Sequence, residues 1–110
     1  MKTEHARKES IVQNRNRYTD SLFEAILSLK SIDECYRFFE DACTVKEIIE
    51  ISQRFEVARM LFEKKSYQTI TAKTGVSSAT IGRVNKCLMY GSGGYKTVLD
   101  RTKKQSERKN

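Results

Sequence analysis

The fold of this chain is decided by residues 67–84, which read YQTITAKTGVSSATIGRV. Ser66 stands just before this stretch and can cap a short helix, which Gly75 ends, and Ser77 can cap a second helix. The apolar residues of the stretch fall where two helices joined by a tight turn bury side chains between them. These residues are Ile70, Val76, Ile81 and Val84. The pattern predicts a helix-turn-helix over about residues 66–89, and an ordinary helical hairpin is the alternative.

The polar residues of the predicted motif suit contact with DNA. The first helix begins with side chains of the kind that touch phosphate, and the second begins with small ones that let a helix approach base edges. The candidate DNA-contacting residues are Gln68, Thr69, Lys73, Ser77, Ser78, Ala79, Thr80, Arg83 and Lys86. Thr71 and Thr74 depart from the usual motif, which has alanine and an apolar residue at these two positions.

Positive charge is concentrated around the motif. The chain has a net charge of +7; residues 64–104 hold nine Lys or Arg and one acidic residue, Asp100. Residues 18–63, by contrast, hold ten acidic and five basic residues. A basic segment that coincides with a helix-turn-helix favours double-stranded DNA as the partner, because phosphate neutralises such a surface.

The segments on either side of the motif are also helical in pattern. A first helix is expected from near Arg15–Asp20 to about Lys30, followed by a second that opens with a capping box at residues 31–34. Another capping box, at residues 44–47, opens the longest helix, which is expected to reach about Lys64. After the glycine-rich joint of residues 91–94, Tyr95, Val98, Leu99 and Thr102 mark a short final helix. The fold class is therefore all-α.

The expected organisation is a single domain. We expect a flexible basic arm over residues 1–14, the helical domain over residues 15–103 and a flexible basic tail over residues 104–110. The amino-terminal residues are polar, so we expect no signal peptide, and no apolar run is long enough for a membrane helix. The three cysteines, Cys35, Cys43 and Cys87, are expected to be buried reduced thiols of a cytoplasmic protein.

The sequence argues against an enzyme and against a metal site. His5 is the one histidine and lies in the amino-terminal arm, so no Ser/His/acid or Cys/His set can form, and no zinc-binding pattern is present. The segment 91–97, GSGGYKT, lacks the ending of a phosphate-binding loop and has no preceding strand. We expect no catalytic residue and no metal.

From about Phe38 to Arg101 the chain resembles the Trp repressor superfamily. The long capped helix Thr44–Lys64, then Gly75, then residues 79–83, ATIGR, follow that family's order and spacing. The glycine-rich joint is similar to that of its YerC/YecD-type branch. The resemblance implies a six-helix subunit, an intertwined homodimer and two recognition helices about 34 Å apart on a palindromic operator. The apolar helices of so short a chain independently favour a partner copy.

The resemblance also implies a corepressor site beside the recognition helix. Thr44, Arg54 and Arg83 match the family's ligand contacts, whereas Val84 and Cys87 stand where the classical pocket has glycine and serine. A valine occupies space that an indole needs, and a thiol is a poor donor, so we expect an amino-acid corepressor other than tryptophan. Family resemblance alone suggests histidine. For Arg54 the alternative is an intrahelical ion pair with Glu50.

The expected function is a repressor of amino-acid biosynthesis genes, gated by a small molecule. Two alternatives stay open: a helical protein-interaction module, and a non-specific DNA-binding protein without ligand control. A steep salt dependence of DNA binding separates the first alternative from the others, because counterion release scales with the number of phosphate contacts.

Overall fold

The computed structural model describes residues 10–109, and the surroundings of side chains up to Lys103. Within this range the chain forms helices and no strands, which confirms the all-α class. The chain divides into two units, Met1–Ala42 and Cys43–Asn110. Residues 1–9 of the expected arm lie outside the described range, and Ile11–Asn14 form a turn in which the Asn14 amide donates to the Ile11 carbonyl at 3.2 Å.

The first unit contains α1 (Arg17–Leu27) and α2 (Ile32–Ala42). Asn16 begins α1 by accepting the amides of Tyr18 and Thr19, and α1 ends three residues before the expected Lys30. The capping box at α2 forms in a shifted version. Ser31 accepts the Glu34 amide at 3.0 Å, as predicted, but the Glu34 carboxylate accepts the amide of Lys30 at 2.8 Å instead of that of Ser31.

The helices of the first unit contain no buried residue. Their apolar side chains are exposed, among them Leu27 at 84% and Ile32 at 77%. An amphipathic helix gains most of its stability from an apolar face that is covered. Within this unit, α1 and α2 leave those faces uncovered.

The second unit contains α3 (Val45–Phe62), α4 (Tyr67–Thr74), α5 (Ser78–Tyr90) and α6 (Gly94–Lys109). Thr44 begins α3 with the predicted capping box: the Thr44 amide donates to Glu47 at 2.8 Å, and the Glu47 amide donates to Thr44 Oγ1 at 3.1 Å. The four helices share a core contributed by each of them. Its buried residues are Val57, Ala58, Met60, Ile70, Ile81, Val84, Leu88 and Leu99.

The final helix is longer than the sequence pattern indicated. The final helix, α6, continues to Lys109, through most of the segment 104–110 for which we expected a flexible tail. The sequence after Gly94 contains no glycine or proline to stop a helix and is rich in Lys, Gln, Glu and Arg, which are good helix formers.

The cysteines are more exposed than expected. Cys35 and Cys87 are exposed and Cys43 is half-buried, and all three are free thiols. Cys35 lies on α2, which buries no residue in its unit. Cys87 lies beside the stripe through which α5 contacts the core, whose nearest member is Leu88.

Candidate nucleic-acid interface

The turn between α4 and α5 has the backbone that the glycine predicted. Gly75 ends α4 in the left-handed region, with φ of 74°, and its amide donates to the Thr71 carbonyl at 2.8 Å. Thr74 is polar where the usual motif is apolar, but its hydroxyl donates to the Ile70 carbonyl at 2.7 Å and accepts the Val76 amide at 3.1 Å. Because both capacities of the hydroxyl are used, its partial burial carries little penalty.

Both helices of the motif begin with a serine cap. Ser66 Oγ accepts the Thr69 amide at 3.1 Å, and Ser77 Oγ accepts the Thr80 amide at 3.2 Å. Behind the caps, Ile70 and Ile81 are fully buried, Val84 is 3% exposed and Val76 packs against the same core. The four apolar residues that predicted the motif therefore pack as expected.

The candidate DNA-contacting residues lie at the surface of this motif. Those that are exposed are Gln68, Lys73, Ser77, Ser78, Ala79, Arg83 and Lys86. Thr69 and Thr80 are half-buried. Exposure leaves the first set accessible to a partner, while the hydroxyl groups of both threonines also contact the capping serines, at 3.0 and 3.2 Å.

One surface of α5 combines small side chains with a lysine. We call it the α5 face; it consists of Ser78, Ala79, Gly82 and Lys86, which are neighbours at helical spacings of three and four residues. Sequence reasoning did not select Gly82. A Cβ atom built on Gly82 meets no atom within 4 Å, so the glycine is not needed for internal packing. A glycine inside a helix costs about 1 kcal/mol relative to alanine, so Gly82 lowers the intrinsic stability of α5 while it keeps this surface free of a side chain.

Lys73 has an acidic neighbour on α3. Arg59 forms ion pairs with both Glu56 and Glu63, at 2.7 Å for the latter. The hydrogen bond from Arg59 is the main reason that the pKa of Glu56 is lowered, and the charge of Lys73 lowers it further. The same pairs raise the pKa of Arg59, so this arginine stays charged. The Glu56 carboxylate therefore offsets part of the positive charge of Lys73 at the end of α4.

A cleft of about 350 Å³ lies between α3 and α5, beside the α5 face. Its lining residues are Glu50, Gln53, Arg54, Val76, Thr80, Arg83 and Val84. The structure thus brings together Arg54, Arg83 and Val84 of the predicted ligand set. It also adds Glu50 and Gln53, which sequence reasoning had not placed in a site. Their positions one turn or less before Arg54 on α3 are the signal that could have found them.

Two members of the predicted ligand set do not line the cleft. The Thr44 hydroxyl is engaged with Glu47, donating to its carboxylate at 3.1 Å and accepting its amide. These hydrogen bonds, the backbone one first, lower the pKa of Glu47. Cys87 is exposed outside the cleft. Both positions came from the resemblance, and helix packing decides which side chains share a cleft.

The alternative considered for Arg54, an ion pair with Glu50 on the same helix, is absent from the ion pairs of the described residues. Arg83 donates a hydrogen bond to the hydroxyl of Thr80 at 3.0 Å.

The described residues contain no cluster of three or more His, Cys, Asp or Glu that could hold a metal. Among them, no helix has the length and apolar character needed to cross a bilayer.

The sequence over residues 17–103 matches the model of the family described as Trp repressor protein. The chain belongs to the Trp repressor family. It is 54% identical over 89 residues to YerC, an uncharacterized protein of Bacillus subtilis (strain 168), with 81% of this chain and 86% of YerC covered. Membership in this family indicates a DNA-binding regulator, a class of proteins that typically carry out no enzymatic reaction.

Two crystal structures share the fold. A Staphylococcus aureus protein assigned to the Trp repressors superposes with a TM-score of 0.81 at 44% identity, covering 87% of this chain and 96% of that one. A TrpR-like protein from Eubacterium eligens ATCC 27750 superposes with a TM-score of 0.79 at 53% identity, covering 83% and 94%. The all-α fold of this chain is therefore the six-helix fold of Trp repressor-like proteins.

Proposed function

We propose that this protein is a sequence-specific transcriptional regulator that binds operator DNA as a homodimer, with α5 as the recognition helix. The observation that carries the proposal is the α5 face. It presents small side chains and one lysine beside a capped helix start, which suits close approach to base edges and contact with phosphate. Membership in the Trp repressor family supports the same function.

A second copy of the chain can bury the apolar side chains that the helices of one copy leave exposed. The large apolar side chains left at least 43% exposed in α1, α2 and the start of α3 are Tyr18, Leu22, Phe23, Leu27, Ile32, Tyr36, Val45 and Ile49. Burial of apolar area contributes about 25 cal/mol per Å², so covering these residues favours association. Sedimentation velocity at low-micromolar concentration tests this: we expect a dimer of twice 12.7 kDa, and a stable folded monomer would contradict the proposal.

The salt dependence of DNA binding tests the role of α5. The logarithm of the binding constant falls with the logarithm of salt concentration with a slope of about −0.9 per phosphate contact. Lys86 occurs twice in a dimer, so Lys86→Ala removes two contacts and flattens the slope by about two. Fluorescence anisotropy with a labelled duplex measures it. Lys30→Ala, an exposed lysine of the first unit, is the matched control and leaves the slope unchanged.

The finer proposal is a ligand-gated repressor of amino-acid biosynthesis genes that acts in the cytoplasm. The cleft beside α5 supports gating, since Thr80 and Arg83 belong both to the cleft and to the predicted DNA contacts. Mapping of bound genomic DNA tests this: we expect sites upstream of biosynthetic genes. DNA binding that is insensitive to sequence would instead favour the non-specific binder, and no DNA binding would favour the protein-interaction module.

A further inference from the structure

The two helices of the motif begin with the same hydrogen-bonded pair of hydroxyl groups. At α4, Ser66 Oγ accepts the Thr69 amide at 3.1 Å and donates to Thr69 Oγ1 at 3.0 Å. At α5, Ser77 Oγ accepts the Thr80 amide and donates to Thr80 Oγ1, both at 3.2 Å. Each threonine is half-buried and is followed by a fully buried isoleucine. The start of α4 is therefore an internal comparison for the start of α5.

At α5 an arginine joins this pair. Arg83 Nη2 donates to Thr80 Oγ1 at 3.0 Å, whereas the residue at the corresponding place in α4, three positions after Thr69, is Ala72. The α4 cap forms with alanine at that place, so capping does not require the arginine. Arg83 is exposed and takes part in none of the ion pairs of the described residues. Its hydrogen bond to Thr80 is therefore additional to the cap.

These contacts determine which hydrogen-bonding capacity of Thr80 is left for a partner. A threonine hydroxyl has one proton to donate and two lone pairs that accept. The guanidinium group of Arg83 can only donate, so it occupies one lone pair, and the Ser77 hydroxyl occupies the other. The proton of the Thr80 hydroxyl is then the capacity that a partner can use. A hydroxyl in this state binds hydrogen-bond acceptors and not donors.

Three of the four bases present an acceptor in the major groove of DNA. Guanine has N7 and O6, adenine has N7 beside its amino group, and thymine has O4. Cytosine presents the N4 amino group, which is a donor. A residue that can only donate therefore accepts guanine, adenine or thymine at the position that it contacts and disfavours cytosine.

We propose that Arg83 and Ser77 hold the Thr80 hydroxyl as a hydrogen-bond donor, and that Thr80 thereby selects against cytosine at one position of each half-site. The inference rests on the proposed role of α5 as the recognition helix and names the base chemistry that this helix distinguishes. Thr80 contacts the base, and Arg83 is a positioning residue. Without Arg83, one lone pair of the Thr80 hydroxyl is vacant, and the hydroxyl can then also accept a hydrogen bond from cytosine N4.

Binding of the full-length protein to matched duplexes tests the inference. The starting duplex is the one that the wild-type protein enriches from a random library, and each position of one half-site is then replaced by all four base pairs. Fluorescence anisotropy at constant salt is expected to show a position where cytosine weakens wild-type binding about tenfold. Thr80→Val, which keeps the branched shape but has no hydroxyl, removes this penalty, and Thr80→Ser, which keeps the hydroxyl, retains it.

Arg83→Ala separates positioning of Thr80 from a simple effect of charge. It is expected to reduce the cytosine penalty by about threefold or more, because the freed lone pair can accept from cytosine. Lys86→Ala, which also removes a cation from α5, is the matched control. It lowers the affinity for every duplex and leaves the cytosine penalty at about tenfold.

Three results would overturn the inference. The first is a set of base preferences that Thr80→Val leaves unchanged at every position, and the second is an Arg83→Ala protein that behaves like Lys86→Ala. The third is an effect of Thr80 that disappears on methylphosphonate substitution of the DNA and involves no base preference, since the acceptor is then a phosphate oxygen.

Circular dichroism establishes that the variants are folded. Thr80→Val keeps the backbone amide that Ser77 accepts, so the cap of α5 is preserved. Library selection separates the two proposals. If the wild-type protein enriches no sequence, the proposed function fails together with the inference. If it enriches a sequence whose base preferences the Thr80 and Arg83 variants share, the inference alone fails.

Discussion

Substituting Gly82 by alanine is expected to stabilise the protein and weaken its binding to DNA. Gly82 lies inside α5, four residues after its first residue, Ser78. Alanine is more favourable than glycine in a helix interior by about 0.8–1.0 kcal/mol, and the added Cβ meets no atom within 4 Å. No steric cost offsets the gain, so we expect about 1 kcal/mol of added stability. For a domain of this size the melting temperature then rises by about 4–8 °C.

The same methyl group stands in the middle of the α5 face. If this face enters the major groove, the methyl displaces the helix from the base edges, and affinity for the operator falls by about tenfold, or 1.4 kcal/mol. Thermal denaturation followed by circular dichroism measures the first effect, and fluorescence anisotropy measures the second.

Gly94→Ala is the matched control for this prediction. Gly94 begins α6, outside the α5 face, and also has open space around a Cβ. This variant is expected to keep full affinity for the operator. A Gly82→Ala protein that is more stable and binds the operator as tightly as wild type would refute the assignment of the α5 face to DNA. A Gly82→Ala protein that is less stable than wild type would refute the inference that Gly82 destabilises α5.

Three further predictions follow from single positions. Gly75→Ala, at φ of 74°, costs about 1–2 kcal/mol of backbone strain, whereas Gly75→Asn costs less because asparagine tolerates this region; equal melting temperatures of the two variants would contradict this. Arg59 lowers the pKa of Glu56 below its ordinary 4.5, so the stabilisation that Glu56→Gln removes is fully present above pH 4.5 and disappears as the pH falls through the lowered pKa. A stability difference between wild type and variant that stays constant down to strongly acidic pH would contradict this assignment. Tryptophan is expected not to act as a corepressor because Val84 fills part of the cleft; calorimetric binding tighter than about 50 µM, with tighter operator binding, would count against it.

The local structure of the motif could be predicted from the sequence because it depends on neighbours within one or two turns. Serine at 66 and 77, the box at Thr44 and the glycine at 75 each act through hydrogen bonds or backbone angles inside a few residues. The buried faces of α4 and α5 followed from helical spacing in the same way. These features predicted the order of the helices and the position of α5, the proposed recognition helix.

The cleft could not be predicted in full, because its membership depends on how α3 packs against α5. Spacing along α3 did not reveal that Glu50 would share a cleft with Arg83 while Thr44 would not. The predicted burial of Cys87 was wrong for a related reason, since this residue is next to Leu88 in the sequence but lies on a different side of the helix. The length of α6 was underestimated because polar composition was taken to indicate a flexible tail, although Lys, Glu and Arg are good helix formers.

Selection of duplexes from a random library by the purified protein tests whether a homodimer reads DNA through α5. We expect an enriched palindrome whose two half-sites are one helical turn apart, about 10–10.5 base pairs or 34–36 Å. We also expect Gly82→Ala to enrich this sequence about tenfold less under the same conditions. No enriched sequence, or a single half-site without symmetry, would contradict the proposal that a homodimer reads DNA through α5.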